Sequence, residues 1–218
     1  MLQNILNFVL QKSCPLCNRS SSQLLCLDCQ QRLSCDRYLD STQFWQGQPK
    51  VFAWGHYANT LKRAIATMKY EQHPELAIPL GEGLARSWLQ SSLCREKLVI
   101  VPVPLHRDRL KQRGFNQAEL IARSFCQVTG DRLLTQELQR VRATEALFNL
   151  SASQRERVVA DVFVVREQFR PTVPVLLIDD IYTTGATVRS CIQAFHRQRI
   201  RVLGVAVVAR TPPNRASP

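Results

Sequence analysis

Residues Val175 to Thr187 read Val-Leu-Leu-Ile-Asp-Asp-Ile-Tyr-Thr-Thr-Gly-Ala-Thr, and they concentrate more potential chemistry than any other stretch of the chain. Two adjacent carboxylates, Asp179 and Asp180, end an apolar run. Hydroxyls at Thr183, Thr184 and Thr187 then flank Gly185. Hydroxyls and the backbone amides of a glycine turn can cradle phosphate oxygens. Carboxylates repel a phosphate, so this pair must face something else, and ribose hydroxyls with a magnesium ion are natural partners. The order of groups suits a sugar phosphate.

Such a site needs a strand before it and a helix after it. Val175 to Ile178 is short, uninterrupted and aliphatic, as expected of a strand buried on both faces of a parallel sheet. That places Asp179 and Asp180 at its carboxyl end, where open α/β sheets keep their ligand crevices. Val188, Ile192 and Phe195 recur at helical spacing. The loop therefore opens a helix whose N-terminus adds partial positive charge.

Four cysteines mark a second chemistry. Cys14-Pro-Leu-Cys17 and Cys26-Leu-Asp-Cys29 are two C-x-x-C knuckles separated by eight residues, the ligand grouping of a structural zinc site. Two disulfides are the competing reading. Metal binding would supply folding energy that about forty residues poor in large apolar side chains lack. Cys35 is a possible substitute ligand, whereas Cys94, Cys126 and Cys191 sit among apolar residues as core cysteines do.

A third segment, Val101 to Gln117, joins a strand end to four bases, Arg107, Arg109, Lys111 and Arg113, ahead of a capped helix. Held together, these cations call for an anion such as a diphosphate or a nucleic-acid backbone. An exposed basic loop is the plain alternative. The whole chain is basic, with 29 Lys and Arg against 17 Asp and Glu and a net charge of +12. No acidic residue follows Asp180, while Arg189, Arg197, Arg199, Arg201, Arg210 and Arg215 do. The asymmetry suggests a polyanionic partner, or else a solvated basic face. Trp45, Trp54 and Phe115 could stack on bases, although apolar neighbours make them better core residues. His56, His73, His106 and His196 show no ligand spacing, and none is assigned a catalytic role.

The remainder alternates between strand and helix patterns. Strands are predicted at Val51 to Tyr57 with a possible bulge at Gly55, at Leu98 to Val103, Leu133 to Val141, Val162 to Val165 and Val202 to Val208. Helices are predicted around Leu61, Ile65 and Met68, around Leu80, Leu84 and Trp88, from Asn116 with a capping box to Glu119, and from Ser151 with Gln154. The expected fold is α/β, a parallel sheet with covering helices plus a small N-terminal zinc module over residues 1–45, the main domain taking 46–218. Leu2, Ile5, Leu6 and Val9 repeat as in a short packing helix rather than a secretory signal. No apolar run approaches the roughly 18 residues a membrane span needs, so no membrane insertion and a cytoplasmic location are expected.

Residues 175–187 resemble the phosphoribosyl-diphosphate signature of type I phosphoribosyltransferases. That resemblance implies ribose hydroxyls on Asp179 and Asp180, and a 5′-phosphate wrapped by Ile181, Tyr182, Thr183, Thr184, Gly185, Ala186 and Thr187. The Val-Pro-Val-Pro-Leu-His segment with Arg109 and Arg113-Gly-Phe-Asn-Gln117, the paired cysteines, and Met68-Lys69-Tyr70 narrow it further. In this order they resemble the ComF family, phosphoribosyltransferase-like proteins associated with DNA uptake in natural transformation. The resemblance covers nearly the whole chain. It implies structural zinc on Cys14, Cys17, Cys26 and Cys29, magnesium with phosphoribosyl diphosphate, and Lys69, Arg107, Arg109, Lys111 and Arg113 against diphosphate or nucleic acid. Single-stranded DNA and other DNA-uptake proteins are the implied partners. The alternative is an active phosphoribosyltransferase on a nucleobase-like acceptor, with Arg107 or Arg113 neutralising the departing diphosphate. One departure is Leu147, where the family pattern has glutamine, in a stretch, 142–157, that matches the mobile catalytic loop of type I enzymes.

Overall fold

The computed structural model describes residues 12–93, 96–142 and 162–212. A hairpin of β1 (Lys12–Ser13) and β2 (Ser20–Ser21) leads into α1 (Leu27–Cys35). Then come β3 (Val51–His56), α2 (Asn59–Tyr70) and, after a 3-10 turn at Pro74–Leu76, α3 (Ala77–Gln90). Next are β4 (Val99–Pro102), α4 (Arg107–Arg113), α5 (Gln117–Thr129), β5 (Arg132–Leu133) and β6 (Leu138–Arg140). β7 (Phe163–Val165), β8 (Val175–Tyr182), α6 (Ala186–Arg197) and β9 (Val202–Arg210) complete the described elements.

Five strands form one parallel sheet in the order β3-β9-β8-β4-β5. Its central strand is the predicted apolar run: Val175, Leu176, Leu177 and Ile178 are fully buried, and their side chains divide between two cores. On one face Leu176 and Ile178 join Phe52 of β3, Ile65 and Met68 of α2, Trp88 of α3 and Phe125 of α5. On the other, Val175 and Leu177 meet Phe195 and Val188 of α6. The sheet is thus covered by helices on both sides, as uninterrupted aliphatic strands require.

The topology sets the place of the site. From β4 the chain passes through α5 to β5 at one edge; from β8 it passes through α6 to β9 on the other side. Successive connections therefore diverge between β4 and β8, which makes their carboxyl ends a topological switch point. β4 stops pairing at Pro102 opposite Ile178, while β8 stays paired to β9 through Tyr182 opposite Arg210. Beyond Val103, whose N–H donates to the Ile178 carbonyl at 2.9 Å, the flank of β8 facing β4 has no strand partner, the position where open α/β sheets place their ligand crevices.

Several local expectations change. Gly55 is not a bulge, since the β3–β9 register runs through it unbroken. Its missing side chain instead admits the backbone of Asp36, whose carbonyl a Cβ would meet at 2.6 Å. The stretch Leu133 to Val141 breaks into β5 and β6 around Thr135, Gln136 and Glu137, and β6 leaves the main sheet to pair antiparallel with β7. Asn116 caps α5 through its side chain, accepting from the Ala118 N–H at 3.1 Å, but Glu119 turns to Arg123 rather than closing the capping box. The predicted helices at Leu2 and Ser151, together with Cys94 and Leu147, lie outside the described residues.

The cysteine segment is sewn to the sheet. Leu16, Leu25 and Leu33 belong to the same apolar cluster as α2 and α3. Asp36, buried after α1, accepts from the Leu61 N–H at 2.8 Å and from Asn59 Nδ2 at 3.1 Å, so it tethers the first turn of α2. Among the described residues, no helix is long and apolar enough to cross a membrane.

Candidate functional site

Asp179 and Asp180 sit just past the last β4 pairing of β8, and both are buried. Burial and then the neighbouring Asp180 charge push the Asp179 carboxyl well above the usual carboxylate range. Its Oδ1 accepts from the Asp180 N–H at 2.9 Å. Asp180 is compensated: Lys69, near the end of α2, forms an ion pair with Asp180 Oδ2. Gln117, the first residue of α5, donates to Asp180 Oδ1 at 3.1 Å. Arg113 in turn donates to Gln117 Oε1 and lies 5.6 Å over the Tyr70 ring. Residues from three other elements, α2, α5 and, through Gln117, α4, therefore converge on one carboxylate.

The loop after β8 has the form its composition predicts. Gly185 adopts φ +76°, a left-handed conformation that costs other residues more than glycine. A Cβ there would also collide with the Tyr182 hydroxyl, so the turn closes only around glycine. Thr183, Thr184, Ala186 and Thr187 are exposed, while Ile181 is half-buried and Tyr182 buried. Thr184 Oγ1 accepts from the Ala186 N–H at 3.4 Å, and its carbonyl accepts from Arg189 at 3.0 Å. A glycine N-cap leaves the opening turn of α6 without a side-chain acceptor from its cap residue, an arrangement that favours an external anion.

The proposed cations divide into two groups. Lys69 and Arg113 are drawn into the Asp180 network, whereas Arg107, Arg109 and Lys111 are exposed on α4. No residue of α4 is buried; it follows β4 from the same carboxyl edge and is capped by His106, whose Nδ1 accepts from the Asp108 N–H at 3.4 Å. Gly114, at φ +83°, ends it. Trp45 and Trp54 are core residues and offer no face to a base, and Phe115 is partly buried. The contacts of Lys69 and Gln117 with Asp180 escaped the sequence reading, because nothing in local spacing joins positions 69, 117 and 180.

The Sγ atoms of Cys14, Cys17, Cys26 and Cys29 all lie within 4.8 Å of one another. Tetrahedral coordination at the zinc–sulfur bond length spaces sulfurs at about 3.8 Å, so the cluster fits a metal of that kind. Cys17 and Cys26 Sγ lie 3.5 Å apart, beyond a disulfide bond length and close to the tetrahedral spacing. The Arg19 backbone N–H and then its guanidinium bring the Cys17 thiol down to about 6, while burial raises that of Cys29. Cys26 and Cys29 open α1, whose N-terminal dipole favours thiolates. Cys35, at the other end of that helix, is exposed and outside the cluster.

No protein-family model matches the chain. Among curated proteins it is 30% identical over 217 residues to the DNA utilization protein YhgH of Salmonella typhi, covering 91% of this chain and 90% of the relative. It is 29% identical over 177 residues to the competence protein ComFC of Bacillus subtilis, covering 80% of this chain and 67% of that one. Competence protein F of Haemophilus influenzae is 27% identical over 204 residues, covering 89% and 86%. Likeness of this order along nine-tenths of both lengths reflects common descent, and the chain belongs to the ComF family.

Proposed function

We propose that this is a DNA-uptake protein whose β8 cleft binds phosphoribosyl diphosphate with magnesium, whose four cysteines hold a structural zinc, and whose basic surface handles single-stranded DNA. The observation that carries the ligand reading is the buried Asp179–Asp180 pair at the switch point, leading directly into a left-handed Gly185 turn. Asp179 is held where a carboxylate costs most without a partner, so ribose hydroxyls or a cation on it would offset that cost. Exposed hydroxyls and the opening amides of α6 suit the 5′-phosphate. The diphosphate would reach the cations of α4, which leave the same edge of the sheet. The DNA reading rests on the names of the relatives and on the excess of basic residues.

Calorimetric titration of magnesium phosphoribosyl diphosphate tests the cleft. Wild type should bind, and the Asp179→Ala, Asp180→Ala double variant should lose binding while circular dichroism still reports a folded sheet. Equal heats from both proteins, or none from wild type, would sink the cleft reading. Binding by wild type would justify a screen of nucleobase acceptors, the step that separates a transferase from a binding protein.

A further inference from the structure

A groove of about 530 Å³ runs between α6, the start of β9 and the residues before β3, away from the β8 cleft. Its cations are Lys50, Arg189 and Arg201, joined by the imidazole of His196, and among the described residues none of its lining side chains is acidic. The floor is apolar, with Ile192 and Leu203 partly buried. Such a composition is unusual in this molecule. The larger groove at the amino end of the sheet also carries cations, Lys97, Arg132, Arg166 and Arg170, but balances them with Asp131 and Glu137.

Resting on the DNA-handling reading above, we infer that the α6 groove is the track for single-stranded nucleic acid. Three fixed positive charges on the rim match a phosphodiester backbone, and the apolar floor offers a surface to sugars and bases that a duplex would keep stacked inside. Arg201 also meets Glu96 at 3.3 Å, but the two side chains are 67% and 41% exposed, so that solvent-screened pairing is weak competition for a phosphate. Lys50 is positioned 6.0 Å over the Trp45 ring, which also fills the space beside Gly204 and so fixes the groove wall. At its upper end Arg189 bonds the Thr184 carbonyl of the phosphate loop. From Arg189 to His196 is about 10 Å along the helix axis. The track therefore runs from the proposed sugar-phosphate loop to the opposite edge of the sheet.

The test is fluorescence anisotropy with a labelled oligothymidylate over a salt series, using the full-length zinc-loaded protein. Lys50→Gln with Arg201→Gln removes two phosphate contacts without touching the loop. Each single-strand contact steepens the log–log salt slope by about 0.7, so two contacts are worth roughly 25-fold in affinity at 0.1 M salt. The expected result is that loss, a slope shallower by about 1.4, and unchanged phosphoribosyl-diphosphate titration. Arg107→Gln with Arg109→Gln on α4 provides the comparison. Wild-type affinity in the groove variant, with the loss falling on the α4 variant, would overturn the track and leave the DNA reading standing. No single-strand binding by wild type would overturn both, and equal competition by duplex DNA would overturn the single-strand assignment.

Discussion

The ion pair of Lys69 with Asp180 makes the electrostatics of the cleft testable by stability alone. The Asp180 side chain is 4% exposed and that of Lys69 13%. Replacing Asp180 with Asn keeps an oxygen for Gln117 but strips the charge from beside a buried ammonium. Removing one partner of a buried pair costs about 3–5 kcal/mol, because the other charge is left uncompensated. The lower end applies, since the amide oxygen remains and Lys69 retains some solvent. In a chain of this length 1 kcal/mol moves Tm by about 2–4 °C, so Asp180→Asn should lower it by about 6–12 °C. Asp179→Asn should act in the opposite sense. A carboxyl whose folded pKa is raised contributes stability that is complete below its unfolded value, about 3.9, and lost as pH rises through the folded value. Burial and the Asp180 charge raise Asp179 in this way, so its amide variant should hold or gain stability against wild type, by a margin that grows as pH rises above the unfolded value. Thermal melts of both variants, with Lys69→Met and the Lys69→Met, Asp180→Asn double, read this directly. The double should cost clearly less than the sum of the singles. A Tm for Asp180→Asn equal to wild type, or a fall for Asp179→Asn as large as that for Asp180→Asn, would refute the reasoning.

Gly185→Ala should weaken phosphoribosyl-diphosphate binding at least tenfold, since the left-handed backbone alone costs a non-glycine residue about 1–2 kcal/mol and the methyl also strikes the Tyr182 hydroxyl. Adding Tyr182→Phe should restore part of it, and calorimetry showing wild-type affinity in the single variant would mean that the turn is not needed. Stripping metal from the cysteine cluster should first abolish amide-exchange protection across residues 14–35. It should then lower the main melt too, because Leu16, Leu25 and Leu33 share a core with α2 and α3. An unchanged exchange pattern after elemental analysis confirms metal loss would remove the structural role.

Where the sequence was readable, the signal was local. Val175 to Ile178 could be recognised as a central strand because four consecutive aliphatic residues have no solvent-facing alternative, and the cysteine cluster because knuckle spacing places its own ligands. Gly185 could be read as the turn because the hydroxyls around it leave no core pattern to compete. The β6–β7 hairpin was hidden for the converse reason. Its strands are three residues each and separated by more than twenty, so neither periodicity nor a turn motif marks their pairing. Likewise Gly55 looks like a bulge until Asp36 is seen to need the space.

The deeper gap concerns which charge answers which. In the sequence, Lys69 and Arg113 stand beside Arg107, Arg109 and Lys111 as interchangeable cations for a diphosphate. In the fold, Lys69 neutralises Asp180 and Arg113 supports Gln117, which holds the same carboxylate. Two carboxylates that begin as equals in a motif thus become unlike: Asp180 is paired with Lys69 and Gln117, whereas Asp179 is buried with its ionised form disfavoured. A sugar phosphate entering with its cation would meet one acceptor already held and one whose ionised form the ribose hydroxyls or that cation would favour. It follows that ligand affinity should respond to substitutions at Lys69 and Gln117, which contact Asp180 from outside the motif, as well as to those at the motif. A cation placed by tertiary contact to tune an acceptor is indistinguishable, in sequence, from one placed to bind the ligand's anion.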